Sequence, residues 1–426
     1  MDQKQVNRRE FLKKTGLGVT LAMGTGILPS ETKAAIDQTD SMKITKIESV
    51  RFNEKISIGG GSGGADGAEF CWVRLHTDSG IIGTGETYPF SNGELGTLKD
   101  YARLLIGKDP RDIDGIWQRF YHDMGMRNAG GADMRILSAI NMAQMDILGK
   151  ASDLPLYRLL GGKTRQRVKV YNTTTDYWAI NNMKMGKDTT EIVRFLLDRG
   201  IKAMKIYPFH AAGPYITTSE IEDGLSWIRQ IREIAGNDMD ICVDCWGRFD
   251  LPSAQRIAKA LEPYNILYLE DVMLMNNAQS YATLARETSV PICMSETLAT
   301  RYEYREFFES KACDVIMYDL TWVGGISEAK KISDMADTYF IPTSPHTCGG
   351  PLLYFASIHL TTALPNFLIM ESNYWKYTHQ YPYFIDNVPV PEEGYVRPPE
   401  LPGLGAEIKP ELFKNGDAIV ETIQEI

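Results

Sequence analysis

In the second half of the chain, short apolar runs each end in a polar residue, at an almost constant interval. The run 239–243 ends in Asp244, 266–269 in Glu270 and 291–295 in Glu296, so the three carboxylates stand 26 residues apart. The series goes on through Asp319, His346 and Glu371, in steps of 23, 27 and 25 residues. A strand of about five residues, a helix of about 10–15 and two short loops fill such a period, so the spacing predicts successive βα units. Polar residues at the C-terminal ends of many parallel strands are where a TIM-like barrel keeps its chemistry.

The first part of the chain is patterned differently. Ile44, Ile47, Val50 and Phe52 suit a first strand, and the runs 71–76 and 81–87 flank Thr77, Asp78, Ser79 and Gly80 as two strands around a turn. Helical spacing follows at 94–106, 113–121 and 134–150. The last of these places Ile136, Leu137, Ile140, Ala143 and Leu148 towards a core. Residues 42–165 therefore read as an α+β capping domain. Gly161 and Gly162 mark the crossing into a (β/α)7β barrel over 166–388, with its first strand at 168–172, a helix at 191–199 and a second strand at 203–207. Residues 389–426, rich in Pro and Gly, are expected to return to the capping domain as an extended tail. The low-complexity stretch 59–66 reads as a flexible connector or a mobile lid.

Residues 1–35 fall outside this pattern. Arg8 and Arg9, then Phe11, Leu12 and Lys13, precede an apolar stretch over 16–28 and small residues over 32–35. That describes an export signal too short to span a bilayer, and the arginine pair resembles a twin-arginine signal, with Asn7 where Ser or Thr is usual. The expected location is the periplasm, or the cytoplasm if the signal is not used.

A net charge of −10 argues against nucleic acid or an anionic membrane as partner. Six cysteines in 426 residues, three of them (Cys242, Cys245 and Cys293) within the strand-like runs, do not make a disulfide framework. Cys242 and Cys245 have redox-motif spacing, but residues three apart on a strand face opposite sides.

Asp244, Glu270 and Glu296 on three adjacent barrel strands make a site for a hard cation, Mg²⁺ before Ca²⁺, since much of the coordination shell is left to water and substrate. Lys205 and Tyr207, two apart on the second strand, point to the same side, at the barrel mouth. His346 ends the seventh strand, and Asp319 ends the sixth, where it can bind the second ring nitrogen and raise the basicity of the imidazole. A metal flanked by such groups suits removal of the proton next to a carboxylate, with the enediolate stabilised by the cation. Phosphoryl transfer would need a glycine-rich phosphate loop, which is missing, and metal hydrolysis would more often use histidine ligands.

Leu154 to Gly162, Val243–Asp244, Leu269–Glu270–Asp271, Ser295–Glu296–Thr297, Gly324–Gly325 and Ser344–Pro345–His346 resemble the enolase superfamily, mandelate racemase subgroup, over residues 42–410. Stretches 212–215, 300–305, 323–331 and 365–371 look like its galactonate and gluconate dehydratase branch. The resemblance implies Mg²⁺ on Asp244, Glu270 and Glu296, an Asp319–His346 dyad, and Glu371 orienting the substrate carboxylate. There are two departures. Many relatives carry Lys-x-Lys on the second strand, where this chain has Lys205 and Tyr207. The branch also carries a histidine two residues after the first metal ligand, where this chain has Trp246. Tyr207, its pKa lowered by a nearby ammonium and the metal, is expected to serve as the second base. His210 and Lys205 are the other candidates for that role, and His210 and Trp246 for contact with substrate.

The implied activity is dehydration of a sugar acid to a 2-keto-3-deoxy acid. Cycloisomerisation of an anhydro-sugar acid and racemisation or epimerisation are the alternatives through the same enediolate, and a non-catalytic periplasmic sugar-acid binding protein is a further one. The expected partners are a small-molecule sugar acid and further copies of the chain in a homo-oligomer, with no nucleic acid and, after signal removal, no membrane.

Overall fold

The computed structural model describes residues 41–423, apart from 54–69, 89–92, 125–129, 175–179, 182 and 212. The export-signal reading (1–35) and the low-complexity stretch (59–66) lie outside the described residues.

Four antiparallel strands form the capping sheet in the order β12-β1-β2-β3, with β1 at Ile44–Phe52, β2 at Cys71–Thr77, β3 at Ile82–Thr87 and β12 at Ala418–Ile423. β2 and β3 meet at the expected turn, where Gly80 takes a φ of 83° and Thr77 N donates to Ile81 O at 3.1 Å. The long helix Gly131–Ala151 lies almost on the backbone of β3. A Cβ on Gly83 or Gly85 would come within 2.1 or 1.9 Å of the Ala143 and Ala139 carbonyl oxygens, so only glycine permits this approach. Ile44, Ile47, Val73 and Leu75 from the sheet and Leu98, Tyr101, Trp117 and Phe120 from the helices close the apolar core of the cap. The tail returns to this sheet: β12 pairs with β1 from Ile47↔Ile423 to Phe52↔Ala418.

Parallel pairings run β10-β4-β5-β6-β7-β8-β9, with β4 at Val168–Thr173, β5 at Ala203–Ile206, β6 at Asp240–Asp244, β7 at Tyr268–Glu270, β8 at Ile292–Met294, β9 at Val315–Ile316 and β10 at Met370–Ser372. Bridges from Thr343 to Ile316 and Phe367, and from His346 to Asp319, insert a further stave between β9 and β10 and close the ring. Helices separate the staves as the period predicts, several of them capped by the residue the sequence offers. Thr217 and Glu220 form a reciprocal capping box, Asp250 accepts from Ser253 N and Asn277 from Ser280 N.

Strand alternation explains how the site is reached. Ala203, Cys242, Tyr268, Met317 and Ile369 fill the barrel lumen. Two residues further along each strand, on the same face, stand Lys205, Asp244, Glu270, Asp319 and Glu371. The lumen packing thus carries the polar set at the mouth. Cys245 packs in the outer core while Cys242 faces the lumen, and all six cysteines are free.

The cap is keyed to the barrel by polar contacts. Glu86 of β3, fully buried, accepts from Trp72 Nε1 at 3.0 Å and from the Leu352 and Leu353 amides at 3.1 and 3.2 Å, in the first turn of the helix Pro351–Ala363. Trp117 Nε1 donates to Gly324 O at 2.9 Å, and Asp146 accepts from Leu404 N at 2.9 Å and from Thr84 N at 3.1 Å. Among the described residues no helix is long and apolar enough to cross a membrane.

Candidate active site

Six carboxylates converge at the C-terminal end of the barrel: Asp244, Glu270, Asp271, Glu296, Asp319 and Glu371, all buried. Two cationic side chains lie among them. Lys205, with no exposed surface, places Nζ 2.8 Å from Glu270 Oε1, 3.2 Å from Glu371 Oε1 and 3.4 Å from Asp244 Oδ2. Burial works against the ammonium, but Glu270 and Glu371 hold its pKa well above the ordinary value. His346 Nδ1 lies 2.7 Å from Asp319 Oδ2, while Nε2 is 3.0 Å from Glu296 Oε2 and 3.6 Å from Glu371 Oε2. Burial again opposes the charge, and Glu296, Glu371 and Asp319 together keep the imidazolium well above its usual range. The second oxygen of Asp319 accepts from Thr321 N and Oγ1 at 2.7 and 2.5 Å, which fixes the dyad.

The carboxylates divide by their neighbours. Although burial pushes the other way, Lys205 and His346 pull Glu371 down to about 2, helped by the Thr173 hydroxyl and the Thr347 amide. Glu296 also falls, its burial outweighed by His346. Glu270 and Asp271 are pushed well up and Asp244 up, by burial first and then by one another and Glu296. Asp244, Glu270 and Asp271 therefore resist ionising together.

The structure tests whether this set fits a cation. Buried oxygens with no hydrogen-bond partner occur on Asp244 (Oδ2), Glu270 (Oε2), Asp271 (Oδ1) and Glu296 (Oε2), the last close to His346 but not aligned as a hydrogen bond. The other oxygens are anchored where they can orient the carboxylate, Asp244 Oδ1 by Trp246 N at 2.8 Å and Glu270 Oε1 by Lys205. Anchored carboxylates with free inward oxygens suit a hard divalent ion. Among the described residues, the ligand-type atoms of His346, Cys348 and Glu371 also lie within 4.8 Å of one another. Two of these residues are already committed, the histidine to Asp319 and Glu371 to Lys205, Thr173 and Thr347, while burial pushes the Cys348 thiol up. The carboxylate set is the better fit.

The second-strand side departs from expectation. Tyr207 is half-buried, its ring 5.9 Å from Lys205 Nζ, yet its phenol is pushed well above the ordinary value instead of down. Burial and the Asp244 charge outweigh Lys205, whose ammonium is engaged by three carboxylates. Trp246 stands at the mouth, 62% exposed, in a left-handed conformation (φ 56°), with its ring 5.7 Å from that of Tyr207. His210 does not join the set: it is exposed, and its ring lies beside Trp227 on the helix Thr218–Ala235.

Sequence reasoning gave no role to Asp271 or Trp322. The adjacent acids Glu270 and Asp271 at a strand end were the available signal for the first. Trp322, whose ring lies 5.5 Å from His346 and under the Arg135 guanidinium at 5.2 Å, is placed by the turn after Asp319 and had none.

Two family models match the chain, "Mandelate racemase / muconate lactonizing enzyme, N-terminal domain" over residues 46–161 and "Enolase C-terminal domain-like" over 188–412. The chain belongs to the enolase superfamily. Members of this superfamily use a divalent metal, typically Mg²⁺. Among relatives of this superfamily chain, the D-galactonate dehydratase of Ralstonia nicotianae is 31% identical over 346 residues, 79% of this chain and 88% of that one. The D-xylonate dehydratase of Haloferax volcanii is 31% identical over 344 residues, 78% and 82% of the two chains. Of solved structures, an enolase of the mandelate racemase subgroup from Agrobacterium tumefaciens superposes with a TM-score of 0.79 at 35% identity, covering 89% of this chain and 98% of that one. A member of the enolase superfamily from Salmonella Typhimurium gives 0.82 at 27% identity, covering 90% and 100%.

Proposed function

We propose that this chain is a Mg²⁺-dependent acid-sugar dehydratase. It removes the α-proton of a hydroxylated sugar acid and expels the β-hydroxyl as water, and the resulting enol becomes a 2-keto-3-deoxy acid. The observation that carries this reading is the juxtaposition of unpartnered carboxylate oxygens with the Asp319–His346 dyad. The likeness to dehydratases named for galactonate and xylonate supports the substrate class.

Asp244, Glu270 and Glu296 would hold the Mg²⁺, which when bound stabilises charge gathering on the substrate carboxylate. Glu371 and Lys205 would set the position of that carboxylate. His346, held by Asp319 and carrying a proton at Nε2, is the general acid for the leaving hydroxyl. Tyr207 lies on the side of the barrel across from His346 and takes the α-proton in this reading. Its role requires that the charge of Asp244, which holds the phenol up, be neutralised.

Purified chain incubated with Mg²⁺ and a panel of aldonic and aldaric acids tests the proposal. A keto acid lighter by one water supports it, and no turnover of any acid sugar overturns it. An isomer of equal mass would point instead to cycloisomerisation or epimerisation through the same enediolate. The homo-oligomer and the periplasmic location belong to the same proposal, the second resting on Arg8 and Arg9.

A further inference from the structure

The charge balance of the site raises a question that the reaction does not answer. Six buried carboxylates face two cations, Lys205 and His346. His346 serves Asp319, Glu296 and Glu371 on one side. On the other, Lys205 is the only ion-pair partner of Asp244 and Glu270 among the described residues, and it also contacts Glu371 at 3.2 Å. It has no exposed surface, and its chain runs up the lumen from β5 between Tyr171 and Tyr207. A solvent-screened lysine could leave its partners at little cost. One buried among three carboxylates cannot.

We propose that Lys205 is a place-holding cation: its ammonium ties Asp244 and Glu270 together until a divalent ion takes them over, and only then is it released to the substrate carboxylate, keeping its contact with Glu371. The inference rests on the reading of Asp244, Glu270 and Glu296 as the metal ligands. It follows from the geometry of the two acids. Each has one oxygen turned to Lys205, Asp244 Oδ2 at 3.4 Å without a hydrogen bond and Glu270 Oε1 at 2.8 Å with one. Asp244 Oδ2 is thus both the oxygen of Asp244 that faces the ammonium and an atom free for a metal. Two cations drawn to one oxygen compete, and the repulsion between them weakens whichever binds second. Lys205 therefore lowers the affinity of the site for Mg²⁺ while making the metal-free fold stable. Metal binding would come first and would make Lys205 available to the substrate.

The test is Lys205→Met and Lys205→Gln, each purified free of divalent metal beside the wild type. Gln keeps a donor for Glu270 without the charge. Expected are a lower melting temperature without metal, its recovery on adding Mg²⁺, and Mg²⁺ binding by calorimetry at least about tenfold tighter than wild type in both variants. Mg²⁺ binding unchanged or weaker in both would overturn the proposal and leave Lys205 as an orienting group for Glu270. Weaker binding in Met but not in Gln would overturn it in the same way. If Lys205→Met folds only with Mg²⁺ present, that supports the proposal, and Lys205→Gln supplies the affinity. A wild type that binds no Mg²⁺ refutes the metal-ligand reading itself, and this inference with it.

Discussion

Replacing Asp319 by Asn removes one charge from the most tightly built pair in the site. Asp319 is fully buried, gives one oxygen to His346 Nδ1 at 2.7 Å and keeps the other on Thr321 N and Oγ1. An amide of the same shape can keep the Thr321 bonds, so the backbone has little reason to move. It loses the charge that favours imidazolium. With charge centres about 4 Å apart and an effective dielectric of about 20, that attraction is about 4 kcal/mol. The Asn side chain also offers an N–H to Nδ1, which selects the tautomer with its proton fixed on Nε2 and no charge to give back. About 4 kcal/mol corresponds to about three powers of ten in rate, within the range of about 10²–10⁴ for loss of a general acid or base. Steady-state turnover of an accepted sugar acid at saturating Mg²⁺ should fall by that amount, with Mg²⁺ affinity near wild type. A loss under about tenfold, or one recovered by more Mg²⁺, would show that Asp319 does not govern His346.

Glu270→Gln should abolish Mg²⁺-dependent turnover while the metal-free melting temperature holds or rises. The Glu270 pKa is raised in the fold, so its cost is absent at acid pH and grows as pH rises through that value; the variant should therefore lose less stability than wild type on going from acid to neutral pH, and unfolding at room temperature would mark the carboxylate as structural. Tyr207→Phe should lose both turnover and exchange of the α-proton with D₂O, whereas His346→Asn should lose turnover and keep exchange; the reverse pattern would make His346 the base. Changing Arg8 and Arg9 to Lys should retain active protein in the cytoplasm, and active protein still reaching the periplasm would remove the twin-arginine reading.

The barrel was legible because its period is written twice, in the apolar runs and in the polar residues that close them. Lumen-facing Cys242, Tyr268 and Ile369 precede Asp244, Glu270 and Glu371 by two, so alternation alone places the acids on one rim. The eightfold closure was harder to read, because the seventh stave, around Thr343 to His346, is held by isolated bridges and carries little strand-like pattern. The charge surrounding Tyr207 was not legible, and for a physical reason. The sequence puts a lysine two residues away but cannot say that its charge is already engaged by Glu270, Glu371 and Asp244. Long-range contacts such as Glu86 with the Leu352 and Leu353 amides leave no local signature in the chain at all.

The pairing of β1 with β12 joins residues 44–52 to residues 418–423. During synthesis the first strand of the capping sheet therefore emerges with one edge open, and its partner is made only after the whole barrel. Until then the main-chain donors and acceptors on that edge face water or any other strand that comes by. The capping sheet is complete only once residues 418–423 have been made, and a chain stopped before them keeps every catalytic side chain but leaves this edge unsealed.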